Sequence, residues 1–188
     1  MYNKYFAAIY CMITLILLAG AGCESASRAP LPIPIQEAAE INGNIMSIVQ
    51  DEVEEARSLG YLRPGAAYTN SASTVVITGS YVPTASKNTT HATVQMLSLS
   101  FQASTNTYWI TGTINYNDIS HGNGERTTKY SSSGNFTLSK GLESWECRWP
   151  LLEKVITLDS DTGEFVARPL QGSYAIDGVT YSYPRNRM

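Results

Sequence analysis

Histidine, cysteine and charge are all scarce in this chain. Two histidines and three cysteines occur in 188 residues. So few cysteines exclude a disulfide framework of the kind that staples small secreted domains. Lys and Arg number 13, Asp and Glu 16, and only 15% of residues are charged. An average globular chain carries roughly 25%. With a net charge of −3 the electrostatic footprint of a nucleic-acid binder is missing. Past residue 22 no predominantly apolar stretch reaches the ~20 residues that a membrane helix needs. Hydroxyl groups occupy the vacated space, with 20 Ser and 18 Thr. A hydrophobic content of 43% with twelve tyrosines argues against a disordered chain. The length fits one domain.

The N-terminus has its own pattern. Lys4 is followed by an uncharged run from Tyr5 to Ala19, then by Gly20-Ala21-Gly22 and Cys23. This charged, apolar, small-residue order is that of a secretory signal, so residues 1–22 are read as a signal peptide. The Ala21-Gly22-Cys23 ending resembles the lipobox of bacterial lipoproteins. That resemblance implies cleavage after Gly22, diacylation of Cys23 and acylation of the new N-terminus. Glu24, not Asp, follows the cysteine, which by the same resemblance implies the outer membrane of the cell envelope. Gly20 stands where the lipobox usually has Leu, so cleavage to a soluble secreted or periplasmic protein is the alternative. Lipidation of Cys23 would leave Cys147 alone, because Cys11 departs with the signal; without it, a Cys23–Cys147 bridge is open. Several acyl chains anchor firmly, since each buried CH₂ adds about 0.8 kcal/mol.

Residues 23–35 are a Pro-rich tether, with prolines at 30, 32 and 34 favouring extended polyproline II. Leu31, Ile33 and Ile35 share a spacing, so an ordered strap along the domain is the other option. Residues 36–59 carry helical periodicity at Ala38, Ile41, Ile45, Val49, Val53 and Ala56. Asn42-Gly43 breaks the pattern, which suggests a start at Asn44 as N-cap. Gly60 is the expected stop. Asp51, Glu52, Glu54 and Glu55 fall mostly on the wet side.

From residue 73 the pattern is strands. Tyr108, Ile110, Ile114 and Tyr116 share one face, and Trp109, Thr111, Thr113 and Asn115 the other. Trp145, Cys147 and Trp149 oppose Glu146 and Arg148. In the run 92–103, Val94 and Met96 are out of phase with Leu97, Leu99 and Phe101, which predicts a bulge near Met96. Asp177-Gly178 predicts a hairpin of 171–176 with 179–183. An Asp161-Thr162-Gly163 turn is expected between 154–159 and 164–168. Further strands are expected at 74–82, 107–117, 127–139 (perhaps split) and 144–149. The fold class is therefore mainly β (α+β). It is an antiparallel seven- to eight-stranded meander, a curled sheet or barrel, with one N-terminal amphipathic helix. Residues 36–188 form a single domain with its β region at 73–183.

Catalytic signals are sparse. The best polar cluster is a loop over 118–125, where Asp118, His121 and Glu125 are weak candidate metal ligands beside Asn123. Turn-forming residues explain that loop equally well. Asp159-Ser160-Asp161 begins like a calcium loop, but Leu170 stands where the closing glutamate belongs. Cys147, alternating with tryptophans, reads as a small buried hydrophobe. Glu143 and Glu146 fall on opposite strand faces. Asn88-Thr89-Thr90 and Asn135-Phe136-Thr137 match glycosylation acceptors and read as chance. No cofactor motif is present. The expected function is an envelope lipoprotein that binds or scaffolds and does not catalyse. The expected partners are the membrane, through the lipid, and an envelope protein. The alternatives are a β-barrel carrier of a small apolar ligand and, more weakly, a metal-dependent enzyme using the 118–125 loop.

Overall fold

The computed structural model describes residues 32–121, 127–158 and 162–183. The expected signal at 1–22, Cys23, Leu31, Asn123, Glu125 and Asp159-Ser160-Asp161 lie outside them. Of the expected strap, Ile33 is buried and Ile35 is 70% exposed.

Helix α1 spans Ile35–Ser58. Ala38, Ile41, Ile45, Val49, Val53 and Ala56 are buried, as the periodicity requires. The helix does not start at Asn44. It starts nine residues earlier, with Pro34 at the cap position and its carbonyl accepting from the Ala38 N–H at 2.8 Å. Asn42-Gly43 does not interrupt it, because Asn42 is held from two sides. Its Nδ2 donates to the Ala38 carbonyl at 2.6 Å, and the Trp149 indole N–H donates to its Oδ1. Gly43 sits on the exposed face, where its helix cost is about 1 kcal/mol. The C-terminus closes as expected. Gly60 takes φ +75°, its N–H bonds the Arg57 carbonyl, and the Tyr61 N–H bonds that of Ala56. This is the Schellman pattern.

Among the described residues nine strands follow rather than seven or eight: β1 (Ala67–Thr69), β2 (Val75–Pro83), β3 (Lys87–Ala103), β4 (Asn106–His121), β5 (Thr127–Lys140), β6 (Glu143–Leu158), β7 (Phe165–Ala167), β8 (Gln171–Ile176) and β9 (Val179–Tyr183). They form one antiparallel sheet in the order β1-β2-β3-β4-β5-β6-β8-β9, with β7 also on β6. The sheet does not close, since the order ends at β1 and β9 with no pairing between them. The described residues thus form a mainly β fold with one helix.

Several boundaries differ from expectation for one reason: partner strands carry pairing through local interruptions. The expected strands 144–149 and 154–159 are, over the described residues 144–158, one strand, β6, which absorbs Pro150 and Leu151 as a bulge where its register with β5 and β8 shifts. Strand β5 is not split. Strand β4 continues to His121 because residues 118–121 pair with 87–90 of β3, so the first half of the expected loop is strand. The bulge expected in β3 is present between Met96 and Leu99. It turns Leu97 outward and returns Phe101 and Ala103 to the core.

The hairpin closes in the predicted register, Ile176 with Val179, Tyr174 with Tyr181 and Gly172 with Tyr183. Asp177 and Gly178 take φ of 47° and 77°, the signs of a type I′ turn.

One face of the sheet packs on α1. Ile77, Val94, Ile110, Ile114, Leu138 and Trp149 are buried there with the helix's apolar stripe. Polar contacts fix the helix's N-terminal half. Tyr108 Oη donates to Glu37 at 2.7 Å, Ser104 Oγ to Glu40 at 2.7 Å, and Tyr183 Oη to the Ala39 carbonyl at 3.1 Å.

Candidate functional site

Strand alternation sorts the polar residues into two places. The first lies on the inner, helix-facing side, near the end of α1. The inward row of β4 runs Tyr108, Ile110, Gly112, Ile114, Tyr116 and then Asp118. The same phase that buries the core therefore buries a carboxylate, which is only 3% exposed. Thr90 of β3 and Ser132 of β5 are buried on the same side. Arg57, in the last turn of α1, reaches into this group. Its Nη1 lies 3.5 Å from Asp118 Oδ2 and donates to Thr90 Oγ1 at 3.3 Å. Its guanidinium also pairs with Glu54 and stands 5.3 Å above the Tyr81 ring. Tyr116 and Tyr130 close the cluster with ring centroids 6.3 Å apart.

Burial raises the Asp118 pKa above the ordinary carboxylate value, and Arg57 opposes that rise without cancelling it. Asp118 Oδ1 and Ser132 Oγ are buried without a hydrogen-bond partner among the described residues. Chemically, the cluster is an ion pair that pins the helix end to the sheet and holds a carboxylate of raised proton affinity.

The expected metal candidates are distributed as follows. Asp118 faces inward. His121, three residues on, faces outward and is exposed. Glu125 lies outside the described residues. Among the described residues no three His, Cys, Asp or Glu side chains gather as metal ligands. Cys147 is free and buried, and burial pushes its thiol up to about 12. Glu143 approaches Lys140 at 3.7 Å, while Glu146 is exposed on the other face. Arg57, Thr90 and Ser132 were missed by sequence reasoning. Their signal was phase: Thr90 is in step with Ala92 and Val94, and Arg57 follows Val49, Val53 and Ala56 around the helix.

The second place is the outer face of the sheet. A groove of about 390 Å³ crosses β2, β3 and β4, lined by Thr78, Ser80, His91, Thr93, Asn115 and Asn117. A second, of about 660 Å³, crosses β4–β6 and the final hairpin, lined by Thr111, Asn135, Thr137, Glu146, Arg148 and Thr180. A third, of about 960 Å³, lies at the β6 bulge, by Pro150, Leu151 and Ser173. Each groove includes a strand glycine at a close backbone approach. A Cβ at Gly79 would sit 2.2 Å from the His91 carbonyl oxygen, one at Gly112 2.5 Å from Phe136 Cα, and one at Gly172 2.2 Å from the Leu151 carbonyl oxygen. All three glycines stand in the inward rows of their strands, where a missing Cβ lets the neighbouring backbones approach closely.

Two cross-strand hydrogen bonds order the first groove. His91 Nδ1 lies 2.6 Å from Asn117 Oδ1, and Thr93 Oγ1 donates to Asn115 Oδ1 at 3.2 Å. Trp109, on the same outer row of β4, is 40% exposed. No family model, curated protein or solved structure matches this chain.

Proposed function

We propose that this protein is a lipid-anchored component of the cell envelope that acts by binding, with the outer sheet face as its recognition surface. The observation that carries the binding part is the contrast between the two faces. The inner face is packed with core and covered by α1, whereas the outer face presents grooves lined by hydrogen-bonding side chains. A ligand reaching the apolar residues inside would have to displace Ile41, Ile45, Val49 and Val53. The envelope part rests on the order Lys4, uncharged run, small residues, Cys23. A segment with prolines at 30, 32 and 34 follows the cysteine.

Metabolic labelling with a fatty-acid analogue tests the anchor. Wild type is expected to label and to fractionate with membranes, and Cys23→Ser to do neither. Equal labelling of both would overturn the assignment.

A further inference from the structure

The sheet has two edges, and they are protected differently. On one side β1 pairs with β2 only from Val76 to Thr78. Beyond that, the Tyr81 N–H of β2 donates to the Leu62 carbonyl at 3.0 Å, so the segment before β1 covers part of this edge. On the other side β9 ends the strand order, and among the described residues no strand pairs with its far edge. Natural edges are guarded by Lys, by Pro within the strand or by a bulge. Val179-Thr180-Tyr181-Ser182-Tyr183 has none of these.

The hairpin register shows which backbone groups of β9 are free. A two-residue Asp177-Gly178 turn makes Ile176 and Val179 a hydrogen-bonded pair, and such pairs alternate along the ladder. Val179, Tyr181 and Tyr183 therefore direct their N–H and C=O groups to β8. Thr180 and Ser182 direct theirs to the open edge. The inward side chains along this edge are already ordered. Tyr181 stacks on Tyr174 with ring centroids 5.2 Å apart, and Tyr183 lies 5.3 Å from the same ring. Val179 is exposed and Tyr181 is half-buried. Exposed Ile35 stands one helical turn before Ala39, whose carbonyl accepts from the Tyr183 hydroxyl.

The strand is also complementary to itself. Two copies set antiparallel about a two-fold axis through Tyr181 overlap all five residues. Thr180 then faces the partner's Ser182, Val179 faces the partner's Tyr183, and Tyr181 faces the partner's Tyr181. Thr–Ser, β-branched–aromatic and aromatic–aromatic pairs are the cross-strand combinations that stabilise antiparallel sheets. The backbone groups this register uses are those of residues 180 and 182, the ones that point outward. Each Thr180–Ser182 pair exchanges both bonds, about four in all. The only charge in the hairpin 171–183 is Asp177, at the turn. The axis carries the two copies of Asp177 to opposite ends, so no like charges meet.

We propose that β9 is a self-association edge whose partner is a second copy of this chain, joined antiparallel and centred on Tyr181. The two sheets become one, and an isologous contact of this kind closes as a dimer. The axis runs normal to the sheet, so both outer faces lie on the same side. The inference goes beyond the binding role of the outer face and does not depend on it. A five-residue overlap is small beside the roughly 1,200–2,000 Å² of a stable interface, so the association is weak and a covalent trap is the means of reading it.

The test is disulfide trapping of the full chain in intact cells with a mild oxidant, read on a non-reducing gel. Wild type, with its own cysteines, sets the background. In the proposed register Tyr181 and its partner form a non-hydrogen-bonded pair with Cα atoms about 4.5 Å apart, within disulfide reach. The two Val179 residues are offset by about 14 Å along the strands, beyond it. Tyr181→Cys is expected to give at least about tenfold more covalent dimer than wild type or Val179→Cys. Adding Ser182→Pro should abolish the band, because the N–H it removes points to the partner and not to β8. Ser182→Lys, which places a guarding charge on the edge, should do the same if the proline variant fails to fold. No dimer above background overturns the proposal, as does equal trapping at 179 and 181. Trapping that a folded Ser182 variant leaves unchanged also overturns it. An adduct of any mass other than twice the chain overturns the second copy as the occupant.

Discussion

The Arg57–Asp118 contact makes a quantitative demand on stability. Replacing Arg57 by Met keeps an unbranched stem against Tyr81 but removes the charge facing Asp118. At 3.5 Å, an effective dielectric near 20 puts the attraction at about 5 kcal/mol. The Arg57 side chain is 24% exposed, so solvent screens part of this. Removing one partner of a buried pair usually costs roughly 3–5 kcal/mol, because the other charge stays buried alone. About 3 kcal/mol is therefore expected at pH 8.

The loss should also depend on pH. Burial raises the folded Asp118 pKa, so between its ordinary unfolded value and the raised folded value the native state binds more protons than the unfolded state. Stability contributed by this group falls as pH rises through that window. Without Arg57 the folded value rises further and the window widens upward. Arg57→Met should accordingly be less destabilising at pH 5 than at pH 8. Adding Asp118→Asn, which removes the orphaned charge, should recover about 2 kcal/mol at pH 8 and little at pH 5. Urea unfolding followed by tryptophan fluorescence measures the wild type, Arg57→Met and the double variant. A loss below about 1 kcal/mol, or an equal loss at both pH values, would refute the assignment of Asp118 as an inward, ionised partner of Arg57.

Other consequences are simpler to check. Asn42→Ala strips the acceptor from the buried Trp149 indole and should destabilise the fold by about 1–3 kcal/mol, less ~0.5 kcal/mol regained in helix propensity, as read from denaturant midpoints. Gly79→Ala drives a methyl toward the β3 backbone and should cost about 1–3 kcal/mol in the same assay while altering the first outer groove. Cys147, with its thiol pushed up to about 12, should stay unlabelled by a thiol reagent at pH 8 until urea unfolds the domain; rapid native labelling would show that the β5–β6–β8 core is open.

Much of the architecture follows from local rules. The buried stripe of α1 is the 3.6-residue pattern itself. The inward rows of β4 and β6 are period-two alternation, and the last hairpin is the Asp-Gly turn. Failures occurred where a distant residue overruled a local signal. Asn42-Gly43 reads as a helix break until the Trp149 indole, 107 residues away, bonds to Asn42. Pro150 reads as a strand break until β5 and β8 on either side hold β6 in place across the bulge. The polar tail of β4 reads as a loop until β3 supplies its pairs. At the candidate sites, Asp118 was picked for a loop cluster with His121. Strand pairing turned it inward to Arg57 and left His121 on the far face.

The sequence by itself determined the helix and strand content and the face on which most apolar side chains lie. These depend on residue type and on spacing within one segment. Only the tertiary structure decided how the nine described strands line up in an unclosed sheet, that Asp118 is buried against Arg57, and which hydrogen-bonding side chains meet along the grooves of the outer face. Those features depend on which backbones lie side by side. Strands β2 and β4 are brought beside β3 by pairing energy summed along its length, and no single segment encodes that sum.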